Sequence, residues 1–217
     1  VVEAMRRVGC PRILYASGSG VYGELGLKEG NEDYGPLVPI STYGASKLAG
    51  EATIAAYCHM FGLTGIAFRF GNVVGARQTH GVGFDFLHRL IADGSQLSIL
   101  GDGQQSKSYV HVSDIVQAVL HAHKVCKKVY NCYNVATLDY VTVLEIAQMA
   151  IKTVGLNTDQ VKLHYTGGDR GWKGDVPVVR LNSDLIRATG WANHFSAHEA
   201  IQQSLTEMLP DIKIGRI

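Results

Sequence analysis

The sequence predicts an α/β fold built on a parallel sheet, and three stretches carry the prediction. Residues 12–17 and 64–70 are apolar runs of strand length, each closed by a glycine-rich turn, and a stretch of helical length opening near Ser41 and stopping at Gly62 lies between them. Strand, helix and strand in that order form a βαβ unit, whose strands lie parallel and are covered on both faces. With 217 residues, 46% of them hydrophobic and 18% charged, the chain can bury a core as one large domain or two small ones.

Residues 1–9 read as a helix already under way, closed by Gly9, because glycine tolerates the left-handed conformation that ends a helix. With no methionine in front, the sequence is expected to be cut from a longer one. The strand at 12–17 leads into Gly18-Ser19-Gly20-Val21-Tyr22-Gly23, and a loop holding Gly26, Gly30, Gly35, Pro36 and Pro39 follows. In the helix from Ser41, the apolar residues Leu48, Ala49, Ala52, Ile54, Ala55, Ala56 and Met60 fall on more than one face, which predicts two covers, the sheet and a second surface. After the strand at 64–70 come a turn at 71–75, a helix at 83–93, a short strand at 97–100 and a turn at 101–103. Ser113 is expected to cap a helix over 114–123, with Asp114 in its first turn suiting the helix dipole. Residues 129–135 read as a strand returning to the sheet. Thr142 with Glu145, and Ser196 with Glu199, have capping-box spacing, which predicts helices over 143–154 and from 197 to 208.

The net charge of +1, without any long basic or acidic run, gives no reason to expect nucleic acid or an anionic membrane as a partner. No apolar run reaches the roughly 18 residues of a membrane span. Cys10, Cys58, Cys126 and Cys132 form no C-x-x-C pair, which argues against a zinc site or disulfide framework and fits a reducing, cytoplasmic setting. His121 and His123 are two apart on a helix and point in different directions, so no metal site is expected.

The chemistry centres on Tyr43 and Lys47. Four residues apart on a helix, a phenol and an ammonium share one face. Neither is a useful proton carrier alone near neutrality, but a fixed positive charge beside a phenol favours the phenolate and makes a general base. Ser17 and Ser19 stand in the small-residue loop that ends the first strand. In an open α/β sheet, ligands bind beyond the carboxyl ends of the strands, where this loop and the turn at 71–75 lie.

Five motifs occur in one order: V-Y-G at Val21 to Gly23, Y-x-x-x-K at Tyr43 and Lys47, R-F-x-N-V-x-G from Arg69 to Gly75, G-D-G-x-Q from Gly101 to Gln105, and Y-V-H-V-x-D from Tyr109 to Asp114. With them the chain resembles the extended short-chain dehydrogenase/reductase family, the NAD-dependent nucleotide-sugar epimerases and dehydratases, in the pattern of the UDP-glucose 4-epimerases. The resemblance implies a Rossmann-like doubly wound parallel sheet with a smaller α/β substrate lobe. Residues 1–78 would be the carboxyl half of the dinucleotide-binding domain and 79–217 mainly the lobe, with about 106–135 returning to the sheet. The family's glycine-rich cofactor turn, and the acidic residue ~20 positions after it, are not found, so roughly a hundred residues of the fold are expected to be lacking.

By the same resemblance, Tyr43 and Lys47 would serve both catalysis and NAD binding, Phe70 and Val73 would line the nicotinamide, and Asn72 would contact a UDP-sugar. A partner subunit would supply the second cover of the Tyr43 helix, making a homodimer. Three positions depart from the family. Gly18 replaces a proton-relaying serine or threonine, leaving Ser19, or else Ser17, to stand in. Lys107 replaces a diphosphate-gripping arginine and loses its bidentate fork. Trp172 replaces a second such arginine, so that role would pass to Arg170 or Lys173. The implied activity is epimerisation of a UDP-sugar by hydride transfer at a ring carbinol. The alternatives are a catalytically impaired nucleotide-sugar-binding member of the same fold, or another NAD-dependent sugar oxidoreductase.

Overall fold

The computed structural model describes all 217 residues. Helix α1 (Val2–Val8), strand β1 (Arg12–Gly18), helix α2 (Thr42–Phe61) and strand β2 (Thr64–Phe70) open the chain. Next come β3 (Asn72–Val74), α3 (Val82–Ala92), β4 (Gln96–Ile99), β5 (Ser106–Lys107), β6 (Tyr109–His111) and α4 (Val112–Val125). The remainder is β7 (Tyr130–Val135), β8 (Val141–Thr142), α5 (Val143–Thr153), β9 (Lys162–Tyr165), β10 (Val178–Val179), α6 (Asp184–Arg187) and α7 (Ala197–Lys213).

The main sheet is parallel, in the order β1-β2-β7, with Arg12 opposite Thr64 and Gly65 opposite Tyr130. Side chains alternate across a strand, and β2 uses both faces. Ile66 and Phe68 join Ile115, Ala118 and Ala122 of α4 in one buried cluster. Gly65 and Arg69 face α2, and a Cβ on Gly65 would lie 2.8 Å from Ile54 and 2.9 Å from the Cys58 sulfur. That double burial is why β2 reads as an unbroken apolar run. β1 pairs with β2 alone and forms an edge of the sheet; Leu14, level with Ile66, is 37% exposed there.

A second, larger core joins α3, α5 and α7 with β4 and β9, and includes Leu87, Leu97, Ile146, Ile151, Ile201 and Leu205. Thr142 and Ser196 close the two expected capping boxes that open α5 and α7. α7 continues past 208 through Pro210 to Lys213, because Ile212 is buried in that core.

Two local expectations are corrected. Residues 72–74, read as part of a turn, are strand β3, paired in parallel with β6 from Asn72 opposite Tyr109 to Val74 opposite His111. The cap of α4 is His111, whose ring accepts from the Ser113 amide, and not Ser113. Asp114 in the first turn of α4 is fully buried; its carboxylate accepts from the amides of His194 and Phe195 at 3.1 and 3.2 Å, tying down the segment before α7. No helix is long and apolar enough to cross a membrane, no cluster of side chains could hold a metal ion, and all four cysteines are free thiols.

Candidate active site

The first turn of α2 lies directly on the loop that follows β1. A Cβ on Gly44 would fall 2.4 Å from the Gly20 carbonyl oxygen, so position 44 demands glycine, whereas a Cβ on Gly20 would meet Gly44 Cα at an ordinary 3.5 Å. Ser41 caps the helix by accepting from the Gly44 amide at 3.1 Å. This contact sets Tyr43 beside Gly18, Ser19 and Gly20. One turn further on, Lys47 donates from Nζ to the Ala16 carbonyl at 2.9 Å and lies 5.3 Å from the centroid of the Tyr43 ring. The tyrosine is 61% exposed and opens into a cavity of about 560 Å³.

One side of that cavity comes from the ends of β1 and β2 and the elements beside them: Ser17 and Phe70 from the main sheet, Ser19 from the loop after β1, Tyr43 from α2, and Asn72 and Val73 from β3. The other comes from the second core, through Val82, Tyr109, Ile201 and Leu205. No aspartate, glutamate, lysine or arginine lines it; Tyr43, Tyr109 and His80 are its titratable groups. Burial pushes the Tyr109 phenol up and Asp175 adds to this, against a hydrogen bond with the Asn72 side chain. A second cavity of about 280 Å³ adjoins the first and shares Asn72, Tyr109 and Trp172 with it. It holds the charged side chains Asp85, Arg89, Lys107 and Asp175, and Lys107 donates to Asp175 at 2.5 Å.

The two serines differ. Ser17 is 4% exposed and its Oγ donates to Glu51 at 2.5 Å, whereas the Ser19 side chain makes no hydrogen bond to the protein. Glu51 sits two turns after Tyr43 and meets Arg69 of β2 through contacts of 2.7, 3.1 and 3.2 Å. Burial opposes the charge on Arg69, but its hydrogen bonds to Glu51, with contributions from Cys132 and Tyr22, together outweigh this and push the guanidinium up. Arg69 also donates to the Tyr22 hydroxyl at 3.0 Å, which donates to Asn134 at 2.9 Å. Burial pushes Tyr22 up to about 12 in spite of that guanidinium. The network pins α2 to β1, β2 and β7.

Six of the expected residues, Ser17, Ser19, Tyr43, Phe70, Asn72 and Val73, meet at the larger cavity, Lys47 stands behind Tyr43, and Lys107 lines the smaller one. Arg170 and Lys173 line neither. Arg170 pairs with Glu24 and donates to the Asp175 carbonyl at 3.2 Å, and Lys173 is exposed without a partner. Their neighbour Trp172 lines both cavities instead. Gln78 and His80, and Ile201, Ser204 and Leu205 of α7, are cavity residues with no sequence expectation attached. The glycines at 75 and 81 that bracket Gln78 and His80 were the available signal; for α7, over a hundred residues from Tyr43, there was none.

The description "NAD dependent epimerase/dehydratase family" matches residues 1–136. A UDP-glucose 4-epimerase of Mycolicibacterium smegmatis is 35% identical over 127 residues, covering 56% of this chain and 40% of its own. A solved structure of a UDP-galactose 4-epimerase is 34% identical with a TM-score of 0.84, covering 95% of this chain and 65% of its own. The UDP-glucose 4-epimerase of Thermus thermophilus, solved in complex with NAD, is 27% identical with a TM-score of 0.81, covering 95% and 66%. The chain therefore spans less than two thirds of the length of each of these relatives. With a family match over well more than half of its length and the same fold as these structures, the chain belongs to the NAD dependent epimerase/dehydratase family.

Proposed function

We propose that this chain carries the catalytic tyrosine and nucleotide-sugar pocket of a UDP-sugar 4-epimerase, acting at a sugar ring carbinol. One observation carries the reading: Tyr43, backed by Lys47, opens into a cavity lined with hydroxyls, amides and apolar groups but no carboxylate. Tyr43 takes the proton from the ring hydroxyl at its Oη and returns it, and Ser19, whose hydroxyl is uncommitted, hydrogen-bonds the same oxygen. Ser17 serves by holding Glu51. The residues present fit the nicotinamide end of NAD: Phe70 and Val73 offer an apolar wall, and Lys47 lies one turn from Tyr43 to hold the ribose. When bound, NAD supplies the acceptor and donor of the hydride. Asn72 positions the sugar, and Lys107 meets the diphosphate from the adjoining cavity.

On this reading residues 1–78 belong to the dinucleotide-binding domain and 79–217 mainly to the substrate lobe. The exposed row Ala45, Ala49, Ala52, Ala56 and Met60 on α2 is the homodimer face, close-packed through small side chains. Gly18 favours a second reading, a binding protein without turnover, since a glycine relays no proton. Incubating the natural protein that carries this chain with NAD and UDP-glucose, and following the sugar by NMR, decides between them. The 4-epimer supports the proposal. No conversion with UDP-glucose bound supports the second reading, and a 4-keto-6-deoxy sugar overturns both.

A further inference from the structure

Trp172 is the wall shared by the two cavities that no charge or packing need explains. Its indole is 61% exposed, yet the loop carrying it is clamped. The Gly171 amide donates to the Asp175 carboxylate at 3.2 Å, the Asp175 amide donates to the Trp172 carbonyl at 3.0 Å, and the carboxylate is held in turn by Lys107 at 2.5 Å. A Cβ on Gly174 would lie 2.4 Å from the indole Cζ3 and 3.3 Å from Ser41 Cβ, so the ring is seated on a bare glycine next to the cap of α2. A large apolar face is thus held in place with nothing covering it.

We infer that Trp172 is a specificity-determining residue, its indole stacking on the ring of a neutral hexose and turning away carboxylated sugars. The inference rests on the nucleotide-sugar reading above. Arg89 and Lys107 are confined to the smaller cavity and Tyr43 to the larger, so a ligand with its phosphates on the cations and its sugar at the phenol must pass the indole between them. The face of an aromatic ring is apolar and carries partial negative charge, which suits the C–H face of a sugar. A carboxylate set against it is stripped of water and finds no lysine or arginine in the larger cavity to pair with.

The two tryptophans make the test direct, because Trp191 is buried in the α4 core and Trp172 is open. The 217-residue chain is titrated with UDP, UDP-glucose and UDP-glucuronate, reading calorimetry and indole fluorescence together, and Trp172→Ala is compared with Trp172→Phe. UDP-glucose should shift the emission and UDP should not. Trp172→Ala should weaken UDP-glucose about tenfold while leaving UDP within about twofold, and Trp172→Phe should restore most of the loss. UDP-glucuronate should bind the native chain about tenfold more weakly than UDP-glucose, and the gap should close in Trp172→Ala. If UDP and UDP-glucose both bind and Trp172→Ala leaves the UDP-glucose affinity unchanged, the stacking role is wrong and the pocket stands. If neither binds the native chain, the nucleotide-sugar reading fails, and the inference with it.

Discussion

Replacing Glu51 by alanine tests whether the buried pair with Arg69 is what holds α2 on the sheet. The two side chains are 5% and 6% exposed, so the charge left on Arg69 has almost no water to turn to. It would lose three contacts of 3.2 Å or less and keep only the Tyr22 hydroxyl and a long contact to the Glu32 carbonyl, while Ser17 would lose its acceptor. Removing one partner of a buried pair costs about 3–5 kcal/mol. That is a large share of a total stability of roughly 5–15 kcal/mol. Urea unfolding of the chain, followed by circular dichroism, should show the unfolding free energy falling by that amount, with the midpoint moving down at constant slope. Glu51→Met combined with Arg69→Met should lose less than either single change, because no uncompensated charge remains. A Glu51→Ala loss within about 1 kcal/mol, the range of exposed pairs, or strictly additive effects of the two methionines, would refute the reasoning.

Tyr43→Phe in the natural protein should remove nearly all turnover with little loss of UDP binding, and Lys47→Ala should weaken NAD as well; more than a tenth of the activity surviving in Tyr43→Phe would assign the proton to another group. The 217-residue chain alone should bind NAD weakly, since the family's glycine-rich cofactor turn, which sets a helix N-terminus on the pyrophosphate, is not found in it, and submicromolar affinity by calorimetry would contradict this. Ala52→Arg, in the middle of the exposed alanine row, should convert the proposed homodimer to monomer by light scattering without changing the helix content. Thr142→Ala and Ser196→Ala should each cost about 1 kcal/mol as lost caps. Thr142 holds Glu145, and Ser196 holds Glu199, below the ordinary glutamate value of 4.5, so these carboxylates stabilise the fold above pH 4.5 and lose that effect as pH falls through their lowered values. Glu145→Gln with Glu199→Gln should accordingly flatten the acid limb of a stability profile.

What was legible in the sequence was what neighbours along the chain decide. Gly9 and Gly62 end their helices in the left-handed conformation, Ser41 caps α2, and both capping boxes close, because each needs only three or four consecutive residues. The pairing of Tyr43 with Lys47 is legible for the same reason. β3 was not, since its partner β6 lies some 37 positions on and three residues carry no pattern of their own. The cavity wall from α7 was not legible either: Leu205 is a core residue on an amphipathic helix, and only the packing of two cores against each other brings it opposite Ser19. Arg170 illustrates the converse. Its charge and position suit a phosphate, but Glu24 occupies it, and a salt bridge across 146 residues leaves no trace in local sequence.

The chemistry open to the site follows from where its carboxylates have gone. Eliminating a sugar hydroxyl needs an acid and a base beside the phenol, and decarboxylation needs the substrate carboxylate steered. Three glutamates lie within reach along the chain, in the loop after Gly23. Glu24 is taken by Arg170, Glu29 accepts from the Tyr140 hydroxyl at 3.2 Å, and Glu32 accepts from the Asn134 amide at 2.7 Å beneath the sheet. Glu51 is consumed by Arg69 and Ser17. Each has a structural partner that would be left unpaired if the carboxylate turned toward Tyr43, so none can be spared without cost to the fold. With Gly18-Ser19-Gly20 lining the cavity in their place, a phenol, a hydroxyl and an ammonium remain. On the proposed reading these groups would take a proton from a ring carbinol and give it back, with bound NAD accepting and returning the hydride, so that reversible oxidation at that carbon is the chemistry this set of side chains suits.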